Sequence, residues 1–449
     1  MIAYFSKFSL ITFRNIVHDR KASVVLWVFV MYEKSYLNLL QSDRISYKNI
    51  HFKTDAAYVV NIAKKLLTPI GIYPLQRGDS FWDLTRLYLQ SMIIFFLMCF
   101  LLIPHVIYTF FDAENLTKYM KVIAAQVFSL LALIKFFTMI INRKKIAVCL
   151  REMENQYRNV KCEEDREVMR NSAKIGRFFT LAYLGLTYGG ALPYHVIMPF
   201  VADRIVKNDN TTQIPLPYLS NYIFFEVEDS PFFEMMFFLQ IFISIIILTT
   251  NCGVYSLIAS CVVHSYCLFE VVNRQISIIL YSKSSEKIKI RLKVIIQYHT
   301  QAILYANMIE GALHVVFLSE MVGCTIIICF LEYGVLMEWE DKKTLQTMVY
   351  FILMTSIFVN VFIMSFIGDR LKEESEKVAD SIYLSDWYNL QTKLVNDLRY
   401  IMIRSRKSSR LTAGKIFNIS LGGFCEVVKT SAAYFNFIRA ISNKYLQAQ

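Results

Sequence analysis

Residues 416–438 read IFNISLGGFCEVVKTSAAYFNFI. As a helix this stretch can cross a bilayer, which takes about 20 residues, yet it is not apolar all round. At about 100° per residue, Asn418, Gly422, Cys425, Glu426, Lys429, Ala433, Asn436 and Ala440 fall on one face. Ile416, Leu421, Phe424, Val427, Val428, Tyr434, Phe435 and Ile438 fall on the opposite one. Lipid cannot satisfy the polar stripe. Its burial costs free energy unless it lines water or packs on polar protein, so the segment reads as a channel wall or a seam between helices.

The rest of the chain repeats the hydrophobic theme without the stripe. It has 449 residues, 55% of them hydrophobic and 35 of them Phe, more apolar material than one soluble core requires. Seven stretches reach spanning length, at 87–111, 119–141, 176–201, 232–263, 313–337, 344–367 and 416–438. The expected fold is all-α: a polytopic membrane protein with seven transmembrane helices. Residues 51–442 form the membrane domain, 443–449 a short tail, and 1–50 an uncertain N-terminal extension. Within that extension, 22–32 is apolar but too short to span, and no cleavage site of a signal peptide follows it.

A net charge of +12 would suggest nucleic acid in a soluble protein, but here the basic residues follow the loops. The segments 1–87, 142–177, 263–310 and 368–415 hold 38 Lys and Arg, against 8 in the alternate set, and only Lys135 and Lys429 lie inside spans. The positive-inside rule puts the N-terminus in the cytosol and, after seven crossings, the C-terminus outside. Asn115-Leu116-Thr117 and Asn210-Thr211-Thr212 are glycosylation sequons in loops that this topology makes extracellular. None of the nine cysteines falls in an outer loop, so no external disulfide framework is expected. Helical spacing of Ile288, Leu292, Ile295, Ile296, Ile303 and Leu304, and again of Val378, Ile382, Leu390, Leu394 and Leu398, predicts helices that continue into the cytosol. They can pack on one another, on a neighbouring subunit, or stand solvated.

No enzyme motif is present: no Walker loop, Gly-x-Ser-x-Gly elbow, His-Glu-x-x-His pair or Cys-x-x-Cys. His264, His299 and His314 lack a second ligand at helical spacing, so neither a metal nor another cofactor is expected. Gly185, Gly189 and Gly190 give span three a small-residue face suited to close helix packing. The outer halves of spans two to six carry more chemistry. Span two offers Tyr119, Ile123 and Val127, and span three Tyr188, Tyr194 and His195. Span four offers Phe238 and Phe242, span five Glu320, Ile327 and Tyr333, and span six Tyr350. A pocket among them would be apolar with a few hydrogen-bonding groups, suited to a small organic ligand. The same aromatics also suit an interface belt, His195 suits polar packing, and Glu320 and Glu332 must face protein or water.

Residues 368–441 carry a recognisable order of elements. A Glu- and Ser-rich start leads to Ile382-Tyr383 and Trp387-Tyr388, then the basic run from Arg404 to Arg410 and Ala413-Gly414-Lys415. Phe424, Lys429-Thr430-Ser431 and Tyr434-Phe435 follow. This order resembles insect odorant receptors, as do Leu67-Thr68-Pro69-Ile70-Gly71-Ile72-Tyr73-Pro74 and Cys261-Val262-Val263-His264; the similarity covers about 54–442. The resemblance implies seven spans with a cytosolic N-terminus and a subunit of a ligand-gated, nonselective cation channel in the plasma membrane of sensory dendrites. It implies a heterotetramer with the odorant receptor co-receptor, a small apolar odorant among spans two to six, and a pore lined by the last span. Aligned on Tyr434-Phe435, the gate falls at Phe437, with Asn436 beside it and Ile441 one turn outward. Phe437 is larger than the aliphatic residue of many members, and Arg439 is an unexpected charge for a cation path.

Other classes fit less of the chain. A G-protein-coupled chemoreceptor shares the span count but requires an external N-terminus, and Asp-Arg-Tyr and Asn-Pro-x-x-Tyr are absent. A gustatory receptor-type channel would carry Thr-Tyr followed by Gln-Phe in the last span, which this one lacks. A transporter would show paired repeats or broken spans, and none is visible.

Overall fold

The computed structural model describes residues 47–74, 81–111, 116–201, 204–206, 212–222, 230–279 and 285–448. The segment 22–32 and both outer-loop sequon asparagines lie outside the described residues. Contacts divide the chain into two units, the smaller of which has 47–48 and 160–163 as its described residues, and the larger of which comprises 49–159 and 164–449. In the small unit, Tyr47 and Glu163 share a hydrogen bond. All that follows concerns the large unit.

In chain order the elements are α1 (Phe52–Leu67), α2 (Phe81–Phe111), α3 (Leu116–Ile141), α4 (Arg143–Arg158), α5 (Glu163–Val201), β1 (Ile205–Val206) and β2 (Thr212–Gln213). They continue with α6 (Phe232–Ile279), α7 (Ser285–Glu340), α8 (Thr344–Tyr383), a 3-10 turn (Trp387–Asn389), α9 (Thr392–Ser405), β3 (Thr412–Ala413), β4 (Phe417–Asn418) and α10 (Leu421–Ala448). Among the described residues, α2, α6, α8 and most of α3 and α7 are long and apolar enough to cross a membrane. The helices of spans three and seven, α5 and α10, are less apolar. The first turns of α5 are charged, and α10 carries the polar stripe.

The predicted extension through Leu304 is continuous helix, whereas the one from Val378 to Leu398 breaks after Tyr383, so Leu394 and Leu398 belong to the separate α9. From its outer start α6 runs inward to Ile279, α7 returns from Ser285, and α8 continues to Tyr383. Their periodic apolar residues pack: Ile288, Leu292, Ile295, Val378, Ile382, Leu394 and Leu398 are buried, whereas Leu304 is exposed. Helix α6 is buried on all sides through its middle, as an all-round apolar helix must be. It packs against α1, α3, α7 and α8. On the cytosolic side Asp55 of α1 takes Arg166 of α5 at 2.7 Å, and the fully buried Asp165 takes Arg274 of α6 at 2.5 Å.

Close approach of α3 and α7 depends on Gly323, where an added Cβ would lie 2.6 Å from a methyl of Leu131. Of the three glycines expected to pack in span three, Gly190 alone meets a neighbour, at Ile352 and Leu353 of α8; Gly185 and Gly189 face open space.

The last span starts later than the hydropathy implied. Residues 411–419 form a tight hairpin, with Thr412 paired to Asn418 and Ala413 to Phe417. Its turn needs positive φ at Gly414 and Lys415, which only glycine adopts freely. Helix α10 begins at Leu421, and Ser420 caps it by accepting the Gly423 amide at 3.3 Å. Ile416 and Asn418 therefore belong to the hairpin and not to the helical faces on which the sequence pattern placed them.

Candidate functional site

An uncharged slot opens among α3, α5, α7 and α8. Helix α3 contributes Ala124, Ala125 and Phe128, and α5 contributes Thr187, Ala191, Tyr194 and His195. From α7 come Ile327 and Leu331, from α8 Tyr350, Leu353, Ser356 and Ile357, and from the segment before α6 comes Tyr218. The empty space at the slot is about 580 Å³, including the part open to solvent. That is a space for a small molecule. The helical repeat explains the wall of α5: Thr187, Ala191, Tyr194 and His195 recur at four- and three-residue steps and share a face.

The outer end of the slot is aromatic. Tyr194 meets Tyr350 edge-on at 5.8 Å, and His195 stacks on Tyr218 at 4.5 Å. The Tyr218 hydroxyl and His195 Nε2 share a hydrogen bond of 3.1 Å, and the backbone N–H of Tyr218 donates to Gln240 of α6 at 2.9 Å. On its far side Tyr218 meets His105 of α2 edge-on. The inner end has one polar feature, the Thr187 and Ser356 hydroxyls bonded to each other at 3.0 Å. Both are thereby satisfied, so a ligand's apolar part can approach them at little cost.

Of the residues expected to face a ligand, Tyr194, His195, Ile327 and Tyr350 come together here. Val127 packs against the same core without lining the slot. Ile123 is partly buried and outside it. Tyr119 and Tyr333 lie in a separate cluster with Met120, Cys329 and Ile438, where the Tyr333 and Ser442 hydroxyls tie α7 to α10 at 2.9 Å. Tyr188 points to α6, bonded to Thr249 at 2.7 Å. Phe238 and Phe242 are exposed, at 69% and 54%, while Gln240 between them is fully buried. No residue of α6 lines the slot, and within α3, α5, α7 and α8 helical phase separates the residues that reach it from those that do not. Tyr218 lies outside every periodic segment, so no pattern marked it.

The last span follows the stripe in part: its polar face is open, but Tyr434, placed on the apolar face by the helical period, is 54% exposed. Val427 and Ile438 are buried, with Phe424 and Phe435 packed beside them. Cys425, Glu426, Lys429, Ala433, Asn436, Phe437, Arg439 and Ala440 are exposed on the open side. Lys429 pairs with Glu426 at 3.1 Å, which offsets its charge locally. Ile441 is half-buried. Among the described residues no group of three His, Cys, Asp or Glu could hold a metal, and His264 and His299 are engaged with Gln156 and Ser405.

The 7tm Odorant receptor family model matches residues 115–432, which is more than half of the chain. The chain belongs to the 7tm odorant receptor family. Odorant receptor 82a of Drosophila melanogaster is similar at 23% identity over 352 residues, covering 76% of this chain and 88% of the relative. Odorant receptor 98a of the same species is 30% identical over 127 residues, 26% of this chain and 31% of that one. Among solved structures, the insect olfactory receptor OR5 from Machilis hrabei in complex with eugenol has a similar fold. The TM-score is 0.72 at 12% identity, covering 88% of this chain and 99% of the other. This odorant receptor is thus an all-α, multi-pass membrane protein of the seven-transmembrane type, and an odorant-binding channel subunit.

Proposed function

We propose that this odorant receptor binds a small, neutral, largely apolar odorant in the slot among α3, α5, α7 and α8. It does so as the ligand-specific subunit of a heterotetrameric, nonselective cation channel shared with the odorant receptor co-receptor, in the plasma membrane of a sensory dendrite. The observation that carries the ligand reading is the lining: among the described residues no charged side chain faces the slot, and its polar groups gather at the two ends. An ionised ligand would lose its hydration there without a countercharge, while a neutral one gains by burying apolar surface.

The pore reading rests on α10, whose polar side stays open while its apolar side packs on α7 and α8. Asn436, Phe437 and Ile441 are the proposed pore and gate residues. Assembly is supported at the cytosolic end, where Tyr383, Leu384, Tyr388, Tyr400 and Ile403 are exposed apolar groups near helix ends. Ligand would act by binding the open arrangement better than the closed one.

The test is whole-cell recording from cells expressing this chain with and without the co-receptor, against a broad panel of neutral volatiles. Odorant-evoked inward current is expected only with both. Phe437→Ala should change ion permeability or block while leaving the ligand order of the panel intact; unchanged permeation would remove α10 from the pore.

A further inference from the structure

Beneath the slot, in the middle of the bundle, four spans meet at charged and amide groups. Lys135 of α3 and Glu320 of α7 form an ion pair of 2.6 Å, with side chains only 3% and 7% exposed. Lys135 Nζ also donates to Asn251 Oδ1 of α6 at 2.9 Å. From α8, Asn360 Nδ2 donates to Glu320 Oε1, and the thiol of Cys324 lies against the same oxygen at 3.8 Å. Asn251 Nδ2 reaches the carbonyl of Phe128, a slot residue, at 3.4 Å.

Its position along the helices gives this cluster its interest. At 1.5 Å per residue, Glu320 lies about 10 Å below Ile327 of the slot, and Asn360 about 6 Å below Ser356. In the other direction the same two helices hold the hairpin that starts α10. The Gly414 amide donates to His314 O of α7 at 2.8 Å, and Gly414 sits against Leu318. Gly368 of α8 is pressed on Ile419, where an added Cβ would lie 2.7 Å from its side chain. Helices α7 and α8 therefore touch the slot above and the start of α10 below, and the polar cluster joins them to each other and to α3 and α6 between the two.

Apolar side chains would hold four helices together as well or better. A buried ion pair is paid for in desolvation and is favourable only while its geometry is kept; an ionisable group inside a membrane span marks function by default. We propose that Lys135 and Glu320 are positioning residues for gating, forming with Asn251 and Asn360 a polar clasp through which the slot and the start of α10 move together. The inference rests on reading the slot as the ligand site and α10 as the pore wall. Asn360 Oδ1 is buried without a hydrogen-bond partner among the described residues, so the clasp keeps an unused acceptor.

The native Cys425, exposed on α10, reports on that helix without any ligand. In cells expressing the full chain with the co-receptor, its modification by a small cationic methanethiosulfonate is followed by mass spectrometry of its peptide, together with surface level and basal current. The Lys135→Met/Glu320→Gln double variant removes both charges, and a merely structural role predicts that it behaves like the wild type. The clasp predicts wild-type surface level with a Cys425 rate displaced about fivefold or more, at the lower end of ordinary coupling between sites. Equal rates, zero included, overturn the proposal. Should the double variant fail to reach the surface, Asn360→Leu leaves the ion pair intact and decides on the same readout. A failed pore assignment would show in Phe437→Ala and leave the Cys425 comparison standing.

Discussion

Ala191 lies between the two polar ends of the slot, one turn above Thr187 and one turn below His195. Its small side chain leaves the space a ligand body would fill. Ala191→Leu should raise the half-maximal odorant concentration about tenfold or more, since a misplaced methylene alone is worth about 1–3 kcal/mol of discrimination. Surface level should stay near that of the wild type. Phe238→Ala serves as the contrast, because that ring is 69% exposed and outside the slot; its concentration–response curve should not move. If Ala191→Leu matches the wild type while Phe238→Ala shifts the response, the ligand lies on α6 and not in the slot.

At the scale of elements, the hairpin before α10 is a tight fit between backbone and neighbour. Gly414 has φ of 61°, and a Cβ there would come 2.6 Å from Leu318. Gly414→Val combines left-handed strain, costing about 1–2 kcal/mol, with overpacking, costing about 1–3 kcal/mol. Surface expression should fall markedly, while Gly422→Ala, where the nearest atom is Ser420 Oγ at 3.6 Å, should be tolerated. Immunoblot of surface-biotinylated protein checks both. This element also marks how far the sequence can be read. The stripe of α10 was legible because a helical period assigns faces without a neighbour. Its first turn was misread because Ile416 and Phe417 are as apolar in a hairpin as in a helix. Lys135 and Glu320 could each be singled out as charges inside spans. That they pair, with amides from two further helices, is a fact of tertiary packing between residues far apart in the chain. Tyr218 left no signal, since an irregular outer segment has no period to betray which side chain turns inward.

For the whole molecule, the bundle stacks three kinds of chemistry along its length: an uncharged slot outside, a clasp in the middle, and titratable contacts at the cytosolic end. The cytosolic layer gives a dependence on pH with a definite sign. His299 of α7 is buried beside Ser405, and burial, helped by the charge of Arg404, pushes its pKa from the usual 6.5 down to about 4. The folded chain keeps the ring neutral while the unfolded chain takes up a proton. Its contribution is therefore intact above pH 6.5 and lost as pH falls from 6.5 toward 4, by ~3 kcal/mol at most. Glu270 of α6 works the other way: burial raises its pKa above 4.5, so proton uptake by the folded state partly offsets the loss near that pH. Asp55 is buried too, yet hydrogen bonds from Arg166 and Asn49 lower its pKa below 3.8, placing its loss at still lower pH. A comparison of variants isolates the histidine. His299→Met keeps the volume, and the Ser405 hydroxyl retains its bond to the Ile401 carbonyl at 2.8 Å. Purified receptor should show a thermal midpoint that falls between pH 6.5 and 4, more steeply in the wild type than in His299→Met. Parallel curves would mean that the cytosolic layer loses its stability to acid through other groups.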